Sequence, residues 1–519
     1  MSTTRAAALL TAFVMIAGLR AATTTTPLID AVKAGDHSAV RLLIDRHADI
    51  NAAEPDGTTA LHWAVRGDDR ESVRMLLRGG ARPAAANRYG VTPLQLAATN
   101  GSADVVAMLL DAGVKADSPN PEGETALMTA ARAGSVATVK LLAARGANVN
   151  ARENWFGETA MMWAAAENYA DVIRALAALG GEVNGRSRVV EAPELDFPKS
   201  GGPNMPFARG GWTPLMYAAR EGSIDAARAL LDLGANPNLV ALPQTDQRLT
   251  DAIRKGIDNG VGATALVYAI INAHFDLAAM LLDCGADPNI ADHTGQAALY
   301  AAVEWNTLQW VQSRPAPIWR DTLDGAGLVR KLLERGANPN ATLISAPPMI
   351  SLDPGATLNF NKGATPLMRA ARTNDVAVMR LLLEWGADPF ATLPDGTTVL
   401  MIAAGQGLGG LRGEGPRIRV PTEEGAVEAV QMLLDLGLDV NAQSANGNTA
   451  LHGAVSRGDA VVRLLMKNGA TLVKNKAGFS PLDVALGAGG RGGRGGVVRD
   501  STAAVLRELA KDGASPAPQ

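Results

Sequence analysis

A Thr-Pro-Leu that opens at Thr26 returns eleven more times in degraded form, and the spacing of those returns constrains the fold more than any other feature. Read from the Thr position, the copies start at Thr26, Thr59, Thr92, Thr125, Thr159, Thr213, Thr264, Ala297, Thr365, Thr398, Thr449 and Ser480. Six of the eleven intervals are 33 or 34 residues, one is 31, and the others are 51, 51, 54 and 68. The long intervals are one period plus an insertion. A fixed period of this size predicts a stack of like units in which each copy touches only its neighbours.

The unit can be read physically from the copy that begins at Gly363. Thr365 suits an N-cap, because its hydroxyl can accept an orphan backbone N–H, and Pro366 suits the first helical position. Leu367, Ala370 and Ala371 supply a short helix with an apolar stripe. Asn374 and Asp375 break it and start a second helix, whose Val378, Leu381 and Leu382 carry the next stripe until Gly386 stops it. Pairs such as Asp56-Gly57 and Asp395-Gly396 mark a tight turn before the next copy. Neither helix can bury its apolar face alone, so each copy needs the adjacent ones.

Asp56 to Val65 (DGTTALHWAV) and Asn446 to Val455 (NGNTALHGAV) carry the first half of a familiar pattern. Gly146 to Asn150 (GANVN), Gly234 to Asn238 (GANPN), Gly285 to Asn289 (GADPN) and Gly336 to Asn340 (GANPN) carry the second. The chain resembles the ankyrin-repeat family, in a long array of bacterial type, over about nine-tenths of its length. The resemblance implies an all-α repeat solenoid: about twelve helix–turn–helix units joined by β-hairpin-like loops. Copies one and twelve depart from the pattern, as end caps do. The last has a glycine-rich interruption at 487–496 before a more polar helix near Thr502 to Leu509.

A solenoid has one quasi-linear core, so 519 residues need not split into several domains, and 23–519 is read as one array. Lys and Arg total 48 against 52 Asp and Glu, a net charge of −4, which gives no footprint for nucleic acid. The single cysteine, Cys284, excludes an intramolecular disulfide and reads as a small filler. Residues 1–22 read as a signal-peptide-like leader: Arg5 precedes the apolar stretch from Ala6 to Leu19, followed by Arg20-Ala21-Ala22. The stretch is short for a membrane span, so no stable one is expected. A cleaved leader implies export to the periplasm or beyond; an apolar cap on the first repeat is the alternative, with a cytoplasmic location.

Insertions near 185–210, 241–261 and 341–362 lengthen the hairpins between repeats. Those near 305–325 and 408–424 fall between the two helices of a repeat. Loops on a rigid scaffold concentrate binding residues. The 305–325 insertion carries Trp305, Trp310 and Trp319, three of eight tryptophans, and these are the candidate partner-binding residues. Anchoring the loop onto repeats eight and nine is the competing use of the same side chains. Trp63, Trp163, Trp212, Tyr217, Tyr268 and Tyr300 recur at framework positions and read as packing or groove lining.

Catalytic patterns are missing from the sequence. None of the six histidines has metal-ligand spacing to another histidine or to Cys284. His62 and His452 occupy the family's Thr-x-Leu-His position, which implies hydrogen bonding between repeats. Gly490 to Gly495 (GRGGRG) fits Gly-x-Gly-x-x-Gly only formally, because it follows a helix rather than a strand. No catalytic residue, metal, cofactor or small-molecule substrate is expected. The function implied is a protein–protein interaction module that binds an unidentified partner through the concave face and extended hairpin loops. A structural or scaffolding array in an envelope assembly, and an enzyme with a site built from the insertions, are the other classes.

Overall fold

The computed structural model describes residues 26–189, 210–241, 262–307, 321–344, 362–406, 422–488 and 498–512. Among them are twenty-four helices in twelve consecutive pairs. The chain divides into two compact units, one of residues 1–187 with 228–234 and one of residues 188–227 with 235–519.

The first unit holds the pairs α1–α2 (Pro27–Lys33, His37–Asp45), α3–α4 (Ala60–Arg66, Arg70–Arg78), α5–α6 (Pro93–Thr99, Ala103–Asp111), α7–α8 (Ala126–Arg132, Val136–Ala144) and α9–α10 (Ala160–Ala166, Ala170–Ala178). The sixth pair, α11–α12 (Pro214–Glu221, Ile224–Asp232), straddles the division. The second unit continues with α13–α14 (Ala265–Ile271, Phe275–Asp283), α15–α16 (Ala298–Thr307, Gly325–Glu334) and α17–α18 (Pro366–Arg372, Val376–Glu384). It ends with α19–α20 (Val399–Ala403, Glu423–Asp435), α21–α22 (Ala450–Ala454, Asp459–Lys467) and α23–α24 (Pro481–Ala485, Asp500–Asp512). Within each unit the first helices pack on first helices and the second helices on second helices.

The helix starts follow the cap chemistry. The hydroxyls of Thr92, Thr125, Thr264, Thr365 and Thr398 accept the backbone N–H three residues on. Asp36, Asp69 and Asp375 do the same for second helices. Apolar residues fill the space between the two layers: Val73, Leu76, Val139 and Leu142 in one unit, and Leu328, Leu332, Val430 and Leu433 in the other, are fully buried.

Backbone atoms are joined across repeats by a recurring asparagine. Asn289 donates to the Gly336 carbonyl at 2.9 Å and accepts from Asn338 N at 2.8 Å. Asn340 repeats both bonds with Gly386 and Asp388, and Asn51, Asn150, Asn238 and Asn441 repeat them elsewhere. This is why the Gly-Ala-x-x-Asn half of the repeat persists: its asparagine satisfies one free carbonyl and one free N–H of the next copy.

The hairpins are closed by single backbone pairs. Bridges join Ala53 to Thr59, Val240 to Thr264 and Thr392 to Thr398. Two insertions leave from such a base, since Ala241 pairs with Ala263, and Leu343 with Ala364 and Gly363. At a third, a Cβ on Gly210 would lie against the Arg188 carbonyl, so the chain closes there without a side chain. Their tips, 242–261 and 345–361, lie outside the described residues, as do the leader, 190–209, 308–320, 407–421 and most of the glycine-rich stretch.

The turn between paired helices needs a left-handed residue. Gly35, Gly101, Gly134 and Gly222 meet that need, while Asp68, Asn168 and Asn374 adopt φ of 50°, 63° and 51°. Ala273 holds the same repeat position at φ 62° with no local side-chain bond to favour it. Ala273→Gly is therefore expected to raise the denaturant midpoint, by about 1 kcal/mol of stability. Asn340→Ala should lower stability by about 1 kcal/mol through two lost bonds, whereas Phe390→Ala at the same repeat position should cost far less. Equal losses for Asn340 and Phe390 in urea unfolding would remove the asparagine bridge from the account.

Candidate functional site

The fifth and eighth residues counted from each starting Thr lie on one side of the first helices. In the first unit two of these are tryptophans held in the same way. Trp63 Nε1 donates to Glu54 at 2.8 Å, and Lys33 Nζ, which bonds Glu54 at 2.6 Å, lies 4.1 Å from the ring centre. The Glu54 carboxyl is held below its ordinary pKa, first by Lys33 and also by Trp63, against the cost of burial. One hundred residues on, Trp163 Nε1 donates to Glu158 at 2.7 Å with Arg132 4.8 Å over the ring. Each indole has its edge fixed and one face occupied by a cation from the preceding repeat. Both rings stay half-buried.

Beside them the hairpin tips of this unit present aromatics outright. Trp155 is 67% exposed, Tyr89 64% and Phe156 43%. The tip bearing Trp155 and Phe156 is not slack. Glu153 is buried, and its carboxylate accepts from Trp155 N at 2.6 Å, Phe156 N at 2.8 Å and Glu158 N at 2.7 Å. A neighbouring tip adds Asn154 N to the Glu122 carbonyl at 2.8 Å. Two large apolar side chains are thus presented to solvent on a backbone that four hydrogen bonds hold.

The second unit handles the same face differently. Trp212, in the hairpin before α11, packs edge-on against Tyr217 at 5.4 Å and tilted against Tyr268 at 4.8 Å, with Arg220 over Trp212. Tyr217 and Tyr268 are buried. Further along, Tyr300 and Glu304 of α15 lie with Arg369 and Arg372 of α17 and with Arg457 beyond α21. Burial pushes the Glu304 carboxyl above its usual range, although Arg369 opposes it. Burial brings the Arg372 and Arg457 guanidiniums down to about 10, and the charges of Arg369 and Arg372 respectively add to the effect.

His62 and His452 sit between repeats. Nδ1 of His62 accepts from Thr59 N at 3.2 Å, so the proton is on Nε2, which donates to the Val91 carbonyl 29 residues on at 3.1 Å. His452 makes the same pair of bonds with Thr449 and Phe479. The expected structural role of both histidines is met. Gln95 replaces the imidazole in the third copy: its Oε1 faces Thr92 N and its Nε2 faces the Glu124 carbonyl.

Family models match the chain along much of its length. Ankyrin repeats in three-copy form match residues 9–87, 28–120, 112–187, 156–241 and 421–493, more than half of the sequence. A single ankyrin repeat matches residues 261–293 and 362–392. The chain belongs to the ankyrin-repeat family. Among solved structures, the human ASB11 ankyrin repeat domain is similar at 25% identity over 42% of this chain and 87% of that one, with a TM-score of 0.35. Ankyrin repeats are in general protein-interaction modules.

Of the three tryptophans singled out on the ankyrin insertion, the described residues include one. The insertion was expected to start at Trp305, but α15 runs on to Thr307 and carries Trp305 in its last turn, 5% exposed. The side chain is buried there, and the next residue, Asn306, stays helical and bonds Asp375 instead of turning the chain. Trp310 and Trp319 lie outside the described residues. Trp155 and Phe156 were missed. The trace they leave in the sequence is the 34-residue interval from Thr125 to Thr159, whose extra residue lies in this hairpin tip. Among the described residues no cluster of three or more His, Cys, Asp or Glu could hold a metal ion, and no helix is long and apolar enough to cross a membrane.

The ankyrin histidines give a pH dependence with a definite sign. Burial lowers both imidazole pKa values from the usual 6.5, so stability is complete above that pH and is lost as the pH falls through the lowered values. Protonation at Nδ1 would also set an N–H against the Thr59 or Thr449 N–H. A His62→Gln/His452→Gln variant, copying Gln95, should lose less stability than the wild type between about pH 7 and pH 5. Urea midpoints at the two values measure this; parallel losses in both proteins would refute it.

Proposed function

We propose that this ankyrin-repeat chain is a protein-interaction module whose first unit contacts its partner through the hairpin tips and the adjoining first-helix face. The observation that carries the reading is the fixed, exposed pair Trp155 and Phe156. Large aromatics contribute most to an interface when little ordering remains to be done on binding. Trp63 and Trp163 extend the surface, since their cation-covered rings can bury further area against a flat partner surface. Tyr89, on another tip, adds a third exposed ring. Trp310 and Trp319 are further candidate contacts. The ankyrin frame supports binding rather than chemistry, and we assign it no catalytic residue. The leader-like start supports an exported location, and the N-terminal residue of the protein from its native source decides that.

The test compares Trp155→Ala/Phe156→Ala with the wild type in affinity capture followed by binding measurements on the purified partner. Loss of two aromatic anchors is expected to weaken that affinity by roughly thirtyfold or more, about 2 kcal/mol, with an unchanged melting temperature. A partner held equally by both forms would move recognition away from these tips. Concentration-dependent self-assembly with no captured partner would favour the structural array instead.

A further inference from the structure

The first-helix face of the second unit carries Arg369 and Arg372 of α17 and Arg457 beyond α21. Arg369 is 1% exposed, and its Nε and Nη1 have no hydrogen-bond partner. An ion pair of 3.5 Å links its Nε to Glu304 Oε1, while the other Glu304 oxygen accepts from Gln296 Nε2 at 3.1 Å. Arg457 Nε is likewise buried without a partner. Its Nη2 donates to the Arg372 carbonyl, 85 residues away in sequence. Arg457 therefore reaches over an intervening repeat to join the arginines of α17.

That reach depends on missing side chains. In the intervening repeat, Gly405 stands where Arg372 and Glu304 stand in theirs, and a Cβ there would lie 2.8 Å from Arg457 Cγ and 2.6 Å from Ser456 Oγ. Gly453, where α17 has Arg369, is packed against the backbone of Gln406. The missing side chain at Gly405 leaves the space that the arginine stem crosses. Among the described residues the carboxylates in this cluster are Glu304 and Asp292. Asp292 is committed to its own turn, accepting from Thr294 N, Thr294 Oγ1 and Gln296 N. Buried guanidiniums with open donors are costly unless an anion meets them, and a planar N–H fork matches oxyanion geometry.

We propose that Arg369, Arg372 and Arg457 form a binding site for a small oxyanion, a phosphate or carboxylate group, on the first-helix face. The site is independent of the partner surface proposed for the first unit. The anion completes the fork of Arg369 and bridges it to Arg457, with the Tyr300 ring as one wall and Glu304 setting the orientation of Arg369.

The full chain is titrated with inorganic phosphate, and separately with succinate, at constant ionic strength set with chloride. Heat of binding and melting temperature are both read. A saturable response to at least one probe below roughly 10 mM supports the site, and the stronger probe identifies the chemical class. Arg457→Gln is expected to weaken binding roughly ten- to a hundredfold, while the anion-free protein still folds and unfolds cooperatively. Arg369→Gln should do the same. If that variant fails to fold, Arg457→Gln carries the test alone. Glu304→Gln should tighten binding, because it removes the competing carboxylate; a network built only for structure would bind no anion more tightly after that change. The proposal is overturned by no saturable response to either probe, by an adventitious response that Arg457→Gln leaves intact, or by Glu304→Gln weakening binding.

Discussion

Most helices in this chain have only five to ten residues, below the length at which an isolated helix holds in water. Everything else follows from that shortness. A seven-residue first helix such as α7 cannot be stable until Leu127 and Met128 meet the neighbouring copies, and both are fully buried by them. Stability thus belongs to interfaces between copies, and the polar bonds that fix those interfaces repeat as faithfully as the apolar stripes. Asn289 and Asn340 tie second-helix ends and His62 and His452 tie hairpins, each across one copy boundary. The hydrophobic layers supply the energy, and these side chains set the register in which it is gained.

What could be read from the sequence is what this coupling demands of every copy. Caps at Thr365 and Asp375, the stripe at Leu381 and Leu382, and the stop at Gly386 occur where the pattern places them. Local chemistry determines each, so each is legible. The failures are equally physical. Helix α15 overran its expected end because Asn306, at a position where Asn374 turns left-handed, found Asp375 as a partner and stayed helical. Trp305 was carried inward with it. Trp155 escaped notice because exposure on a hairpin tip has no periodicity; what fixes it is the Glu153 carboxylate, whose three local bonds no sequence pattern distinguishes from a surface charge.

The first-helix face shows one scaffold serving two kinds of surface. In the first unit its tryptophans are clamped at the edge and covered on one side by Lys33 or Arg132, and the rings stay half-exposed. Such rings remain available. In the second unit the corresponding positions turn inward on themselves: Trp212, Tyr217 and Tyr268 pack together, and Arg369 is buried. Recognition by large flat contact therefore suits the first unit, whereas the second offers recessed charge, which discriminates by geometry and hydrogen bonding rather than by area.

Recessed charge also changes how that part of the stack must behave. A solenoid whose copies touch only nearest neighbours can open one copy at a time. Arg457 breaks the rule, since its bond to the Arg372 carbonyl passes over the copy that contains Gly405. Opening that intermediate copy strips the bridge from both sides and leaves the guanidiniums of Arg369 and Arg457 without their packing. An anion held among them adds its binding free energy to every conformation in which all three copies are closed, and to none in which one is open. The copies bearing α17, α19 and α21 are thereby coupled into one cooperative block, and Gly405, just beyond the end of α19, is a condition for that coupling.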